Sequence, residues 1–262
     1  MSELKSTQDL KGATWFVIMT YAGTWMIWFF IPMLELLGSC MPSIIGIVFI
    51  LKSRTAMREN LRIRIISFKL IRKPWYFIIV LSMPLIMLLS YITQKSLGGE
   101  VPSLDVLSQN LRNPLLILIF LILGLGAGLG EEIGWRAYLL ETLQKRWNPF
   151  TSSLIIGFFW MSWHIPLGVL SGDNLLSPIV LSRLLFIFTL SILMTWVYNN
   201  NRRSILSVIM LHCMVNFTVY IFGTPIPPGM YLIMTLYLTL FITGIIAVSR
   251  KKPPLSFCKV DV

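Results

Sequence analysis

Two adjacent glutamates and a following arginine, Glu131, Glu132 and Arg136, lie at the end of one of the most hydrophobic stretches of this sequence. Ionisable side chains in such segments are rare, face the interior of a helix bundle and usually belong to a functional site. A carboxylate held there can take a proton from water and pass it to a leaving group. The run therefore predicts acid–base chemistry, with a structural hydrogen-bond network between helices as the alternative.

The only two histidines of the chain, His164 and His212, fall in other apolar stretches. Asn216 follows His212 by four residues, so the imidazole and the carboxamide share one face of a helix. Such a pair can donate hydrogen bonds to the oxyanion that forms on a carbonyl under attack. Pro166 is expected to loosen the backbone just beyond His164. With a glutamate that activates water, these residue types meet the needs of peptide-bond hydrolysis.

The elements that must position these residues are membrane-spanning helices. Hydrophobic residues make up 56% of the 262 residues, and about 20 consecutive apolar residues suffice to cross a bilayer. We therefore predict an all-α fold, a polytopic membrane helix bundle that forms a single membrane domain over residues 1–262. The predicted spans are 13–33, 36–51, 75–93, 114–130, 151–170, 179–198, 204–222 and 230–249.

The net charge of +11 is concentrated in loops, which favours a role in membrane topology over a nucleic-acid partner. Basic residues crowd the loop 52–74, and smaller groups follow at 145–146, 202–203 and 250–252. Because cytoplasmic loops carry an excess of Lys and Arg, we expect these loops and both termini to be cytoplasmic. The 52–74 loop could also contact anionic membrane lipid.

Helical spacing predicts which way the charged side chains of the first group point. Glu132 and Arg136 are four residues apart and are expected to form an ion pair that neutralises itself. Glu131 lies about 100° further round the helix, because each residue turns an α-helix by that angle. It is therefore expected to face a polar cavity formed with the other helices.

Small residues precede the acidic pair, since Gly124, Gly126, Gly128 and Gly130 alternate with Leu and Ala. Glycines allow membrane helices to approach closely, or leave a helix able to bend. A phosphate-binding loop is disfavoured, because the glycines follow a membrane helix rather than a strand and the adjacent carboxylates would repel phosphate.

Three segments, in order and on separate predicted spans, resemble the motifs of the CAAX protease and bacteriocin-processing family of intramembrane proteases, which includes the Rce1-like prenyl-protein endopeptidases and the Abi proteins. Residues 130–140 are similar to the first motif, Glu-Glu-x-x-x-Arg. Residues 160–166 resemble the second, which often has Phe where this chain has Trp160. Residues 212–216 match the third, His-x-x-x-Asn, and the resemblance covers a motif-bearing core at 114–217.

The resemblance implies a role for each motif residue. Glu131 corresponds to the general base that activates water, and His164 to a residue that positions or assists it. His212 and Asn216 correspond to the residues that line the oxyanion site. The implied activity is an intramembrane endopeptidase that hydrolyses a peptide bond in a membrane-associated or lipidated substrate.

The resemblance further assigns Glu132 and Arg136 a supporting role, and it leaves the use of a metal open. The sequence contains no His-Glu-x-x-His motif. Glu131, His164 and His212 could nevertheless supply three ligands of a catalytic zinc, with water in the fourth position. We favour a metal-free glutamate mechanism over this alternative.

Two other classes of function remain alternatives. A non-catalytic scaffold, such as a bacteriocin-immunity or regulatory protein, could bind a peptide in the same cavity. A proton-coupled transporter would predict an inverted internal repeat, which the sequence does not show. By resemblance, we expect a multi-pass protein of a bacterial plasma membrane.

Overall fold

The structure is a computed structural model that describes residues 2–53 and 56–249. These residues form helices joined by turns and contain no β-strand, which confirms the predicted all-α class. Within them, eight helical segments are long and apolar enough to cross a membrane, the number predicted. The prediction of one domain over residues 1–262 and the basic group 250–252 extend beyond the described ranges.

A π-helix interrupts the series of α-helices at the first motif, and each predicted span overlaps one span-length segment. The helices in chain order are α1 (Ser2–Phe30), α2 (Glu35–Lys52), α3 (Ala56–Glu59), α4 (Leu61–Ile66), α5 (Trp75–Ser96), α6 (Leu104–Arg112), α7 (Pro114–Glu132), the π-helix (Ile133–Leu140), α8 (Glu141–Leu143), α9 (Pro149–Trp163), α10 (Ile165–Leu170), α11 (Pro178–Asn200), α12 (Ile205–Phe222) and α13 (Pro228–Ser249).

The segment that carries the acidic pair is longer than predicted. It runs from Pro114 to Leu143, whereas the sequence placed its end at residue 130. The π-helix makes the continuation, and all of its residues are buried; π-helical turns often occur at functional sites. The glutamates and Arg136 therefore lie inside a helical segment rather than at its end. The charged residues lower the local hydropathy, which is why the apolar pattern stops early.

Two glycines of α7 bring it into backbone contact with α12. A Cβ atom on Gly124 would lie 2.8 Å from the carbonyl oxygen of Cys213, and one on Gly128 would lie 2.9 Å from that of Ile209. A larger residue at either position would push the two helices apart, so the close approach expected of these glycines is present. Gly126, by contrast, faces open space.

The next two glycines bring the same segment against α2. A Cβ atom on Gly130 would lie 3.0 Å from the Sγ atom of Cys40. On Gly134, in the π-helix, it would lie 2.1 Å from the carbonyl oxygen of Pro42, so no side chain fits there. The first motif is thus held between α2 on one side and α12 on the other.

The second motif lies at a break in the fifth span. Helix α9 ends at Trp163, His164 caps it, and α10 starts at Ile165 with Pro166 near its first position. The proline cannot donate the backbone hydrogen bond that would continue α9. The predicted loosening of the backbone beyond the histidine is therefore confirmed, and His164 lies half-buried at a helix end.

One residue of the basic loop 52–74 is buried and fixes the loop to the bundle. The Nη2 atom of Arg64 lies 2.6 Å from Oε1 of Glu141, just after the π-helix, and also contacts the Tyr198 hydroxyl. Its Nε atom donates to the carbonyl oxygen of Arg203 at 2.9 Å. Arg64 thus joins α4 to the ends of α8 and α11, which the charge pattern alone did not predict.

The other described basic side chains of this loop are exposed: Lys52, Arg58, Arg62, Lys69, Arg72 and Lys73. Arg54 lies outside the described residues. The exposure suits an orientation signal or lipid contact, because hydrated charges remain available to headgroups. The cytoplasmic placement of this loop and of the termini stays a prediction.

Candidate active site

The centre of the site is Glu132, which is fully buried and has partners on two helical segments. Nη1 of Arg136 donates to its Oε1 atom at 3.0 Å, so the predicted pair forms. Nδ1 of His212, from α12, lies 2.7 Å from the same oxygen. The spacing predicts a pair that neutralises itself, whereas the structure adds His212 as a third partner. Glu132 therefore joins Arg136 to His212.

Glu131 is 4% exposed and has its two carboxylate oxygens in different surroundings. The indole Nε1 of Trp160 donates to Oε2 at 2.6 Å. Oε1 faces the Nε2 atom of His212 at 3.9 Å, too far for a direct hydrogen bond and suited to a bridging water. One oxygen is thus fixed, and the other faces an imidazole from α12, whereas the polar cavity expected around Glu131 stays a prediction.

The two histidines are oriented in the same manner, each through its Nδ1 atom. Nδ1 of His212 faces a Glu132 carboxylate oxygen that also accepts from Arg136, and an N–H at this ring position would donate to it. Nδ1 of His164 lies 2.7 Å from the carbonyl oxygen of Trp160, which also accepts. In both rings this leaves Nε2 for other partners, because a hydrogen bond at one ring nitrogen sets the role of the other.

Asn216 lies one helical turn beyond His212 on α12 and is half-buried. Within the described residues its side chain has no hydrogen-bond partner, and it therefore has free donors and acceptors. The structure brings Glu131, Glu132, Arg136 and His212 into one contact network. Asn216 lies beside this network on the helix that His212 occupies.

Trp160 is the residue whose role the sequence did not reveal. Besides its hydrogen bond to Glu131, its ring lies under the Arg136 guanidinium, with Cζ 4.5 Å from the ring centroid. It also makes an edge-to-face contact with His212, at a centroid distance of 5.7 Å. A phenylalanine, common at this motif position, would keep the ring contacts but has no N–H. The departure from the motif therefore adds a donor to the carboxylate of Glu131.

A zinc site would need at least three ligands close together. Among the described residues, no group of three or more His, Cys, Asp or Glu side chains is placed to hold a metal ion. Oε2 of Glu131 accepts from Trp160 and Nδ1 of His212 faces Glu132, whereas Oε1 of Glu131 and Nε2 of His212 make no direct hydrogen bond within those residues.

A further ionisable residue, Arg183, lies within the predicted span 179–198 and was not singled out. It is the one charged residue of α11, and a Cβ atom on Gly168, four residues after His164, would lie 3.4 Å from its Nη2 atom. A cation within an apolar span is itself a functional signal. Counting every charge inside every span would have found it.

The comparisons with known proteins concern the segment that carries all three motifs. Residues 113–218 match the family described as type II CAAX prenyl endopeptidase Rce1-like, which confirms the resemblance seen in the motifs. The chain is also 29% identical to CAAX prenyl protease 2 of Methanococcus maripaludis, over 75% of this chain and 73% of that protein. Because this relative is archaeal, it does not favour the predicted bacterial origin.

Replacing Trp160 by Phe should destabilise the protein through the loss of one hydrogen bond to a buried carboxylate. Trp135→Phe is the matched control, because that indole is equally buried and its Nε1 has no hydrogen-bond partner in the described structure. We expect the Trp160 variant to lose about 1.5–3 kcal/mol more free energy of unfolding than the control. Denaturant titration in one detergent measures the difference, and equal losses would refute the assigned hydrogen bond.

Proposed function

We infer, from the Rce1-like match that spans all three motifs, that this multi-pass membrane protein is a protease that cleaves within the membrane. Its substrate is a membrane-associated or lipidated protein. The matched family and relative are both named as prenyl-protein proteases, which favours a prenylated protein as the substrate. Such substrates end in a C-a-a-X segment that carries the lipid on its cysteine. Membrane lipid surrounds both enzyme and substrate.

The observation that carries the proposal is the asymmetric environment of Glu131. Its Oε2 atom accepts from Trp160, while Oε1 faces His212 Nε2 across 3.9 Å. A water molecule beside the line that joins these two atoms would hydrogen-bond to both. Glu131 would take a proton from this water as it attacks the scissile carbonyl carbon. The same carboxyl group would then protonate the leaving amine.

The tetrahedral intermediate needs donors for its negative oxygen. Asn216 has a free carboxamide beside His212, and Nε2 of His212 donates when the ring is protonated. The Glu132 carboxylate against Nδ1 holds the ring in this orientation. Preorganised donors of this kind contribute about 3–4 kcal/mol each to acyl-transfer reactions.

His164 assists from the other side of the site. Its Nδ1 atom donates to the Trp160 carbonyl, which fixes the ring at the end of α9. Nε2 therefore presents a lone pair that can accept a hydrogen bond from the attacking water or from the substrate N–H. Its role is to orient the reacting groups, and Glu131 remains the base.

Glu131→Gln tests the proposal, because the amide cannot accept the proton but can still accept the Trp160 hydrogen bond. The purified variant should cleave a synthetic peptide with a farnesylated cysteine about 10²–10⁴-fold more slowly than the wild type. The product is quantified by mass spectrometry. Glu35→Gln, an exposed carboxylate at the start of α2, is the control and should retain full activity.

Two outcomes would contradict the proposal. Full activity of the Glu131 variant would remove that residue from the chemistry. A wild type that binds the farnesylated peptide but never cleaves it would favour a non-catalytic scaffold that uses the same cavity for peptide binding.

We also propose that the reaction uses no metal ion, with zinc held by Glu131, His164 and His212 as the alternative. Prolonged treatment of the purified protein with a strong chelator should leave the rate of peptide cleavage unchanged, and elemental analysis should find less than about 0.1 zinc per chain, since a catalytic zinc site binds one ion. Loss of activity with recovery on addition of zinc alone would establish the alternative.

A further inference from the structure

Arg183 is a cation in the apolar part of the bundle for which the described structure offers no anion. It is the sixth residue of α11 and the only charged residue of that helix. Its Nη2 atom is buried and has no hydrogen-bond partner among the described residues. Those residues also contain no carboxylate within ion-pair distance of it. Arg183 is half-buried, and an anion from outside the chain would form charge-assisted hydrogen bonds with its free Nη2 atom.

The guanidinium lies on the side of the site that His164 occupies. A Cβ atom on Gly168, in the short helix α10 that follows His164, would lie 3.4 Å from Nη2 of Arg183. The absence of a side chain at Gly168 leaves room beside the guanidinium. Arg183 is therefore a neighbour of the second motif, and it lies on α11, a helix that none of the three motifs includes.

We propose that Arg183 binds the C-terminal carboxylate of the substrate. The inference rests on the proposed function, because a C-a-a-X segment ends in a free carboxylate three residues after its cysteine. Three extended residues span about 10 Å, so a substrate whose scissile bond lies at Glu131 places this carboxylate within about 10 Å of it. Guanidinium and carboxylate form paired, charge-assisted hydrogen bonds. Arg183 thereby selects substrates whose scissile bond lies close to the C terminus.

The test compares two farnesylated peptides that differ only in ending with a carboxylate or a carboxamide. The wild type should cleave the carboxylate peptide with a kcat/KM about 10–100-fold higher, since the pairing is a hydrogen bond between charged groups. In Arg183→Gln the ratio should fall to about 1, because the amide side chain lacks the charge. Arg183→Lys should give an intermediate ratio, since a lysine keeps the charge without the planar pair of donors.

The ratio of the two kcat/KM values does not depend on how much of a variant is folded, so partial misfolding of Arg183→Gln leaves it interpretable. Arg112→Gln, at the exposed end of α6, is the control and should keep the wild-type ratio. A loss of activity in Arg183→Gln that is equal for both peptides would show a purely structural role and overturn the inference.

The failure of this inference is distinguishable from failure of the proposed function. If the wild type cleaves both peptides equally well, Arg183 does not bind the substrate carboxylate, and the proposed endopeptidase activity is unaffected. If Arg183→Gln keeps the full preference for the carboxylate, another residue binds it. If the wild type cleaves neither peptide, the proposed function fails and this inference falls with it.

Discussion

The carboxylate of Glu132 is the point on which the geometry of the site depends. It is fully buried and accepts from Arg136 in the π-helix and from His212 in α12. Two separate helical segments are therefore joined through one side chain. Removing one member of such a network leaves another buried charge uncompensated, which costs about 3–5 kcal/mol. The network also fixes Nδ1 of His212 and thereby aims Nε2 at Glu131.

This arrangement requires the helices to approach one another more closely than most side chains allow. Gly124 and Gly128 place α7 against the backbone of α12. Gly134 does the same for the π-helix and α2. The glycines before the glutamates thus allow the close approach that the charged contacts within the motif require. Without the close approach, His212 could not reach Glu132, and Glu131 would face lipid or a loose cavity.

Much of this could be predicted from the sequence. The eight spans follow from hydropathy because lipid-facing and core-facing residues are both apolar. The pairing of Glu132 with Arg136 follows from helical spacing. The third partner, His212, could not be predicted, because contacts between helices depend on their rotation and depth. The π-helix was missed because Arg136 interrupts the apolar pattern that defines a span.

Two features near the site were not predicted. Trp160 stands out in the sequence as an aromatic replacement, but its N–H contact with Glu131 is visible only in the structure. Arg183 stands alone in an apolar span, where a charge needs a partner. Arg64 differs from both, because a buried arginine within a run of exposed basic residues has no distinguishing sequence signature.

We propose that the two adjacent glutamates have different roles: Glu132 holds the site together, and Glu131 contacts the reacting groups. The most direct test is the free energy of unfolding of Glu132→Gln compared with that of Glu131→Gln. We expect the Glu132 variant to lose about 3–5 kcal/mol, since it breaks a buried charged network, and the Glu131 variant to lose less than about 1 kcal/mol, since its hydrogen bond to Trp160 survives. Equal losses of free energy of unfolding, or a larger loss in the Glu131 variant, would contradict these separate roles.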